Sequence, residues 1–435
     1  MKVILAGYNT DRQFGSDTPE TISAAYARIS RDPRPVWELR REAAGELASA
    51  RRSNERIVFG FGHSSVAEHA VFNLDIAGIS RYAAEALQSF RLASFMEKSQ
   101  RYIRIDRGWV VPGELDRTRA AAFDAACLAL FDIYSELADM LLQNGLPRES
   151  AREDARYALP LCTECQVGLT ANARELEHMI RRLSAWPVAE IRDLAAALLE
   201  AVGPVAPSLF RYLSPVRMDS FAVGSAMTPR RLPGRPVTMT SWDTDAKIGT
   251  FLLAMRDGMT HGEAASAWRG MTPDGREALF SSALDGLGVH DALPRVWEMA
   301  HYAFDLSISS TAFAQLKRHR MATILPGSPF VGSGTVVPPS FPASARRLLE
   351  KGAALSEDCA RSLPEGLRPY ILLNAHRRAV SMSVNARELV HISRLREDSH
   401  AQWDIRGIAS KMLALAKRRA PLTLSASGGK SSLER

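Results

Sequence analysis

Asn172-Ala173-Arg174-Glu175-Leu176-Glu177-His178 returns in the second half of the chain as Asn385-Ala386-Arg387-Glu388-Leu389-Val390-His391. The flanks repeat in the same order. Upstream, Arg91-Leu92-Ala93-Ser94 parallels Arg320-Met321-Ala322-Thr323. Downstream, Ala189-Glu190-Ile191-Arg192 parallels Trp403-Asp404-Ile405-Arg406. Val3 to Asp11 and Val237 to Asp245 share the pattern of a short strand closing on Thr-Asp. Ordered self-similarity of this kind marks a tandem repeat, so the fold is one unit present twice. Gly224 to Pro236 has three prolines and no apolar periodicity, and reads as an exposed linker. The expected organisation is therefore unit one at 1–223, linker at 224–236, unit two at 237–424, and a Gly/Ser-rich disordered tail at 425–435.

Within each unit the pattern reads strand, helices, strand, long helix, further helices. Ile22 to Ser30 follows Asp17-Thr18-Pro19 as a helix start, and Val71 to Gly78 is β-like. Arg81 to Phe90 is helical. Ala120 to Asn144 is a long amphipathic helix that stops at Asn144-Gly145 and Pro147. Arg174 to Leu183 and Ala189 to Val202 are helices, and Ala345 to Cys359 and Ile405 to Arg418 play similar parts in the second unit. This is an α+β class, each unit a small mixed sheet packed with several helices including a long one.

The 435 residues suit two or three domains, and 46% apolar against 24% charged residues is a globular balance. The formal charge of +7 is mostly an arginine excess. Arginine suits bidentate contacts to phosphate and carboxylate, yet composition alone leaves nucleic acid, an acidic membrane and small phosphorylated ligands all open. Of the four cysteines, only Cys162 and Cys165 form a C-x-x-C pair; with no second pair the expectation is buried, reduced thiols. The N-terminus lacks the pattern of a signal peptide. The longest apolar stretches, such as Leu194 to Val205, fall short of a membrane span. A cytoplasmic location is expected.

Two sets of motifs resemble the flavin-dependent thymidylate synthases, the ThyX family. In the first unit these are His63-Ser64-Ser65, Gly78-Ile79-Ser80-Arg81, Glu97-Lys98-Ser99-Gln100-Arg101-Tyr102, Ala155-Arg156-Tyr157-Ala158-Leu159-Pro160 and Asn172-Ala173-Arg174. In the second they are Gln315-Leu316-Lys317-Arg318-His319-Arg320, Asn385-Ala386-Arg387, and Leu395-Arg396-Glu397-Asp398-Ser399-His400-Ala401-Gln402-Trp403-Asp404. Neither unit is complete. The first has Ser89 and Phe90 before Arg91 where the family has R-H-R, and Leu183 where it has a late arginine. The second keeps R-H-R, Gln315 and Arg396, but its loop Thr323 to Phe330 lacks the Glu and Arg of E-x-S-x-R. The position of Arg156 falls near Pro369.

In the family, active sites form between subunits of a homotetramer, so the resemblance implies that each unit retains one side of a shared site. The chain would pair into a dimer equivalent to four units. The first unit would be the nucleotide-phosphate half and the second the flavin and catalytic half. The resemblance assigns Glu97, Ser99, Gln100, Arg101, Arg156, Gln315 and Arg318 to a pyrimidine nucleotide. It assigns His63, Ser65, Arg91, Arg318, His319, Arg320, Asn385, Arg387 and His391 to FAD. It makes Arg396, beside the pyrimidine ring, the catalytic cation. Asn385 also suits a plain helix cap. His391 stands where the family has Asn. A nucleotide phosphate near neutral pH is a dianion and needs converging charge-assisted donors, which Ser99, Arg101 and Arg156 supply.

The activity so implied is methylation of dUMP, or a close pyrimidine nucleotide, at C5, with methylenetetrahydrofolate as carbon source and NADPH as reductant. No cysteine sits in a nucleophile motif, in keeping with hydride delivery from a flavin. Alternatives are UMP methylation or hydroxymethylation on the same scaffold, and a non-catalytic nucleotide- or flavin-binding relative. Nucleic-acid binding ranks last, because the arginines lie in nucleotide-site motifs without interleaved aromatics.

Overall fold

The computed structural model describes residues 1–288 and 290–429. Strands β1 (Lys2–Tyr8), β2 (Val71–Ser80), β3 (Ser94–Glu97) and β4 (Glu164–Asn172) form an antiparallel sheet in the order β1-β2-β4-β3. Strands β5 (Val237–Trp242), β6 (His301–Ser309), β7 (Thr323–Pro326) and β8 (Arg377–Asn385) repeat that order as β5-β6-β8-β7. The duplication read from the sequence is thus a duplication of topology. Each sheet has four strands rather than the two expected. β4 alternates buried and exposed residues along most of its length, the period of a strand with one face covered. β3 and β7 are four residues each and too short to carry a period.

By compactness the chain divides into Met1–Met227 with Arg347–Leu373, and Thr228–Arg346 with Asn374–Arg435. The helix Ala343–Ser362, from Arg347 onward, therefore packs within the first unit. A Cβ on Gly352 would meet Ile133 Cδ1 at 3.4 Å, an ordinary contact distance, so this helix lies directly on Arg117–Gln143. Arg117–Gln143 starts at Asp116, whose Oδ1 accepts from the Arg119 amide at 2.9 Å. It buries Phe123, Leu130, Tyr134, Leu137 and Leu141, an i, i+3/i+4 stripe. Leu161 N donates to Leu372 O at 2.9 Å and Cys162 N to Tyr370 O at 2.6 Å, fixing the strand approach to β4.

Two buried carboxylates mark equivalent corners. In the first unit Ser80 caps Arg81–Leu87, and its Oγ donates to Glu190 Oε2 at 2.7 Å; Tyr370 Oη donates to the same oxygen at 2.6 Å. Burial raises the pKa of Glu190. In the second, Ser309 caps Ser310–Leu316 and donates to Asp404 Oδ2 at 2.5 Å. These bonds set where the helix after β2 or β6 begins, and hence where the arginines that follow it emerge. Cys127, Cys162 and Cys165 are buried, and none of the four cysteines is in a disulfide. The close pair is Cys127 and Cys162, Sγ to Sγ 3.4 Å, rather than the C-x-x-C partners.

Two expected irregular segments have structure. Arg217–Met227 is a helix that takes in the first four residues of the expected linker, and Arg230 Nη1 donates to Ser381 Oγ at 3.1 Å. The Gly/Ser-rich end is packed at least as far as residue 429. Trp297 Nε1 donates to Thr423 O at 2.8 Å, Asp245 accepts from the Thr423 amide at 2.7 Å, and Ser427 is buried. The rest of the expected tail, 430–435, lies outside the described residues.

The core of the second unit gathers Ile248, Trp268, Phe280, Trp297, Tyr302 and Phe304. Gly249 permits this packing, since a Cβ there would sit 2.1 Å from Trp268 Cζ3. Gly249→Ala should therefore overpack the indole and cost about 1–3 kcal/mol in chemical denaturation. Stability equal to the parent protein would show that the Trp268 contact does not limit this core.

Candidate functional site

In the first unit, β3 delivers the loop Lys98–Tyr102 beside the start of the helix after β2. Glu97 pairs with Arg81 Nη1 and accepts from Gln88 Nε2 at 3.0 Å. Ser99 Oγ accepts from the Arg101 amide at 3.1 Å, and Gln100 is buried. Arg101 Nε meets Glu153 Oε1 at 2.6 Å. Arg156, 8% exposed, donates from Nε to Glu153 O at 3.1 Å, with Nη2 3.8 Å from Glu153 Oε1. Burial brings the Arg156 pKa down to about 10, and the positive charges of Arg81 and Arg101 act in the same direction. The structure thus brings Glu97, Ser99, Gln100, Arg101 and Arg156 together and adds Arg81 and Glu153, neither of which was assigned a site role from the sequence. Arg81 closes the Gly78-Ile79-Ser80-Arg81 motif; Glu153 carries no sequence signal beyond its place one turn before Arg156.

His63 and Ser65 are exposed around the short helix Ser64–His69, and His63 Nε2 lies 3.2 Å from Arg31 Nη2. Arg91 is also exposed.

In the second unit, Ser310–Leu316 ends just before Arg318-His319-Arg320. Arg318 and Arg320 are exposed, whereas His319 is 3% exposed. His319 Nδ1 lies 3.0 Å from Glu388 Oε1, and Nε2 accepts from Arg396 Nε at 3.0 Å. An Nε2 that accepts from a guanidinium holds a lone pair, so the proton is on Nδ1 and is donated to Glu388. Burial lowers the pKa of His319, opposed by Glu388 and reinforced by Arg396. Arg396 Nη2 also donates to Gln315 O at 3.3 Å, and Gln315 Nε2 donates to Gln402 Oε1 at 3.5 Å. The His391 ring stands edge-on to His319 at 5.9 Å. Gln315, His319, Arg396 and His391 are therefore one cluster, with Glu388 as the member sequence reasoning missed. Its signal was its place in the repeated Asn-Ala-Arg-Glu motif.

Asn385, Arg387, Glu388 and His391 line a cavity of about 340 Å³ together with His290, Leu293, Glu298 and Met321. Asn385 caps Ala386–Arg396 through its bond from the Glu388 amide at 2.8 Å. Arg387 bonds Leu293 O at 2.7 Å and Glu298 Oε1 at 2.9 Å. Both thus hold structural positions at the wall of a cavity rich in nitrogen donors. The equivalent corner of the first unit lacks the imidazole–guanidinium pair, although Glu175, His178 and Arg182 remain there. Ala173–Leu183 and Ala386–Arg396 are both 11-residue helices capped by Asn, and Leu183 ends the one where Arg396 ends the other. Phe90 takes the place of His319 and packs edge-on to His178 at 5.2 Å.

No helix among the described residues is long and apolar enough to cross a membrane. Compared with known proteins, 225 residues are 36% identical to a flavin-dependent thymidylate synthase of Geobacter sulfurreducens, spanning 49% of this chain and 88% of that one. A second, from Clostridium tetani, is 32% identical over 222 residues, 48% of this chain and 88% of its own. A UPF0159 protein of Thermoplasma acidophilum matches at 22% identity over 475 aligned positions, 90% of this chain and 91% of that one. The family model described as thymidylate synthase complementing protein matches twice, at residues 15–208 and 263–422. Those two stretches take in most of the chain and both sets of clustered residues, and the protein belongs to this family, carrying two of its units in tandem.

Proposed function

We propose that the protein methylates dUMP at C5, with FAD, methylenetetrahydrofolate and NADPH, drawing on complementary residues kept by its two units. The observation that carries this reading is the buried Glu388–His319–Arg396 chain beside the cavity of Asn385, Arg387 and His391. Arg387, Asn385, His290 and His391 would hold the polar groups of one end of a flavin nucleotide and Leu293 and Met321 its apolar parts, with Glu298 and Glu388 already engaged by Arg387 and His319. When bound, FAD supplies the redox step that an all-protein site lacks.

Each chain residue then has a defined task. Arg396 presents a cation held by His319 and by Gln315 O, suited to the negative charge that develops on a uracil ring as C5 is made nucleophilic. His319, neutral, orients that guanidinium and adds no charge of its own. Arg101 and Arg156, with Ser99, bind the nucleotide phosphate, which competes with Glu153 for the same guanidinium groups. Arg81 fixes Glu97 at the loop's entrance. Gln100 is held inside the loop, Arg91, Arg318 and Arg320 stand at the surface for the dianionic parts of the ligands, and His63 and Ser65 edge the flavin. A dimer of chains, four units in all, is the expected working form.

Purified protein should be yellow, carry FAD, oxidise NADPH and convert dUMP to a product in which a methyl group replaces the C5 hydrogen, heavier by one CH2. UMP as the preferred acceptor, or a hydroxymethyl product by mass spectrometry, would replace the acceptor or the reaction named here. Tight flavin without turnover would leave a binding protein.

Arg396→Ala should lower kcat on the order of 100-fold to 1,000-fold with FAD retained. Arg101→Ala should act on KM for dUMP, raising it about tenfold or more. Unchanged kcat in Arg396→Ala would remove the catalytic assignment.

His319 titrates below its ordinary value in the folded protein. On acidification the unfolded chain takes up its proton first, from about pH 6.5 downward. Stability from this group is complete above that pH and is lost as pH falls toward the folded value. The parent protein should thus lose more stability between pH 7 and 5 than His319→Gln does. Parallel urea-denaturation curves for the two at both pH values would contradict the buried neutral imidazole.

A further inference from the structure

Ala173–Leu183 and Ala386–Arg396 each carry an arginine two residues before their last residue, Arg181 and Arg394. The first unit supplies its arginine with a counter-ion. Arg181 Nε donates to Asp219 Oδ2 at 2.9 Å and the adjacent Arg182 Nε to Asp219 Oδ1 at 3.4 Å; Asp219 is 1% exposed. Asp219 lies on Arg217–Met227, a helix that follows the repeat.

Among the described residues of the second unit, no carboxylate forms an ion pair with Arg394: Asp291 acts on it through space, and its Oδ2 accepts from the Gly288 amide at 2.8 Å. Arg394 is 7% exposed, its Nη1 donates to the backbone carbonyl of Asp291, and its Nε has no hydrogen-bond partner. A guanidinium keeps its charge at any physiological pH, and a buried charge is paired or costly.

Arg394 stands between two cavities and lines both. One is the 340 Å³ cavity already described. The other, of about 560 Å³, is walled by Phe280, Leu284, Leu287 and Leu422. Arg394 is the only cation among the residues that line it, and Glu277 and Asp285 are exposed at its rim. We propose that this second cavity binds a small, singly charged organic acid, its carboxylate meeting Arg394 as Asp219 meets Arg181 and its apolar body lying against Phe280 and the leucines. The two rim carboxylates repel polyanions and favour a ligand of low charge.

Benzoate, a carboxylate on an apolar ring, is the probe, titrated calorimetrically into the full-length protein with inorganic phosphate as comparator. Saturable benzoate binding, tighter than phosphate, is expected. Arg394→Met should weaken it about tenfold or more. Ser425→Trp, which fills the cavity from its exposed wall and spares Arg394, should abolish it in a folded protein. Arg387→Met, which alters only the first cavity, should leave it unchanged. The proposal is overturned if benzoate does not saturate, if phosphate binds more tightly, if binding survives both Arg394→Met and Ser425→Trp, or if Arg387→Met removes it.

Discussion

A neutral imidazole between a carboxylate and a guanidinium organises the second unit. Glu388 accepts from Nδ1 of His319, which leaves Nε2 free to accept from Arg396. Each partner fixes the next, and all three depend on the cap at Asn385, whose bond to the Glu388 amide places the carboxylate. In a buried setting such a chain is expensive to break, since any one loss strands a charge or a polar atom. The pairing therefore determines where the cation stands.

The first unit shows what remains when that chain is absent. Phe90 and Leu183 fill the positions of His319 and Arg396, so the polar chain is lost, although His178, Glu175 and Arg182 still surround Phe90. What this unit keeps is a different electrostatic arrangement, Arg81, Arg101 and Arg156 around the carboxylates of Glu97 and Glu153. Burial lowers the pKa of Arg156 even with Glu153 near, because desolvation outweighs the neighbouring carboxylate. The two units thus share one topology and differ in the polar groups they carry.

Much of this was legible in the sequence because it follows from local rules. The repeated Asn-Ala-Arg-Glu motif is a cap with its N3 partner, and Arg117–Gln143 shows a plain 3.6-residue period. The α+β class and the tandem units also stand in the structure. Other features depend on distant partners. Glu153 and Glu388 matter for what lies across the fold from them, and no spacing announces that. The linker read between Gly224 and Pro236 was judged by its prolines, yet its first residues complete a helix and Arg230 is tied to Ser381. The end of the chain was judged by glycine and serine content, while Trp297 and Asp245 hold Thr423 in place. Composition describes propensity, and tertiary hydrogen bonds override it.

The most direct test of the account is the protonation pattern of one ring. Nitrogen-15 NMR of His319 at pH 7 should show a single proton on Nδ1 and an unprotonated Nε2 shifted by a hydrogen bond from Arg396. A doubly protonated ring, or a proton on Nε2, would contradict the neutral relay between Glu388 and Arg396, and with it the placement of the cation on which the proposed chemistry rests.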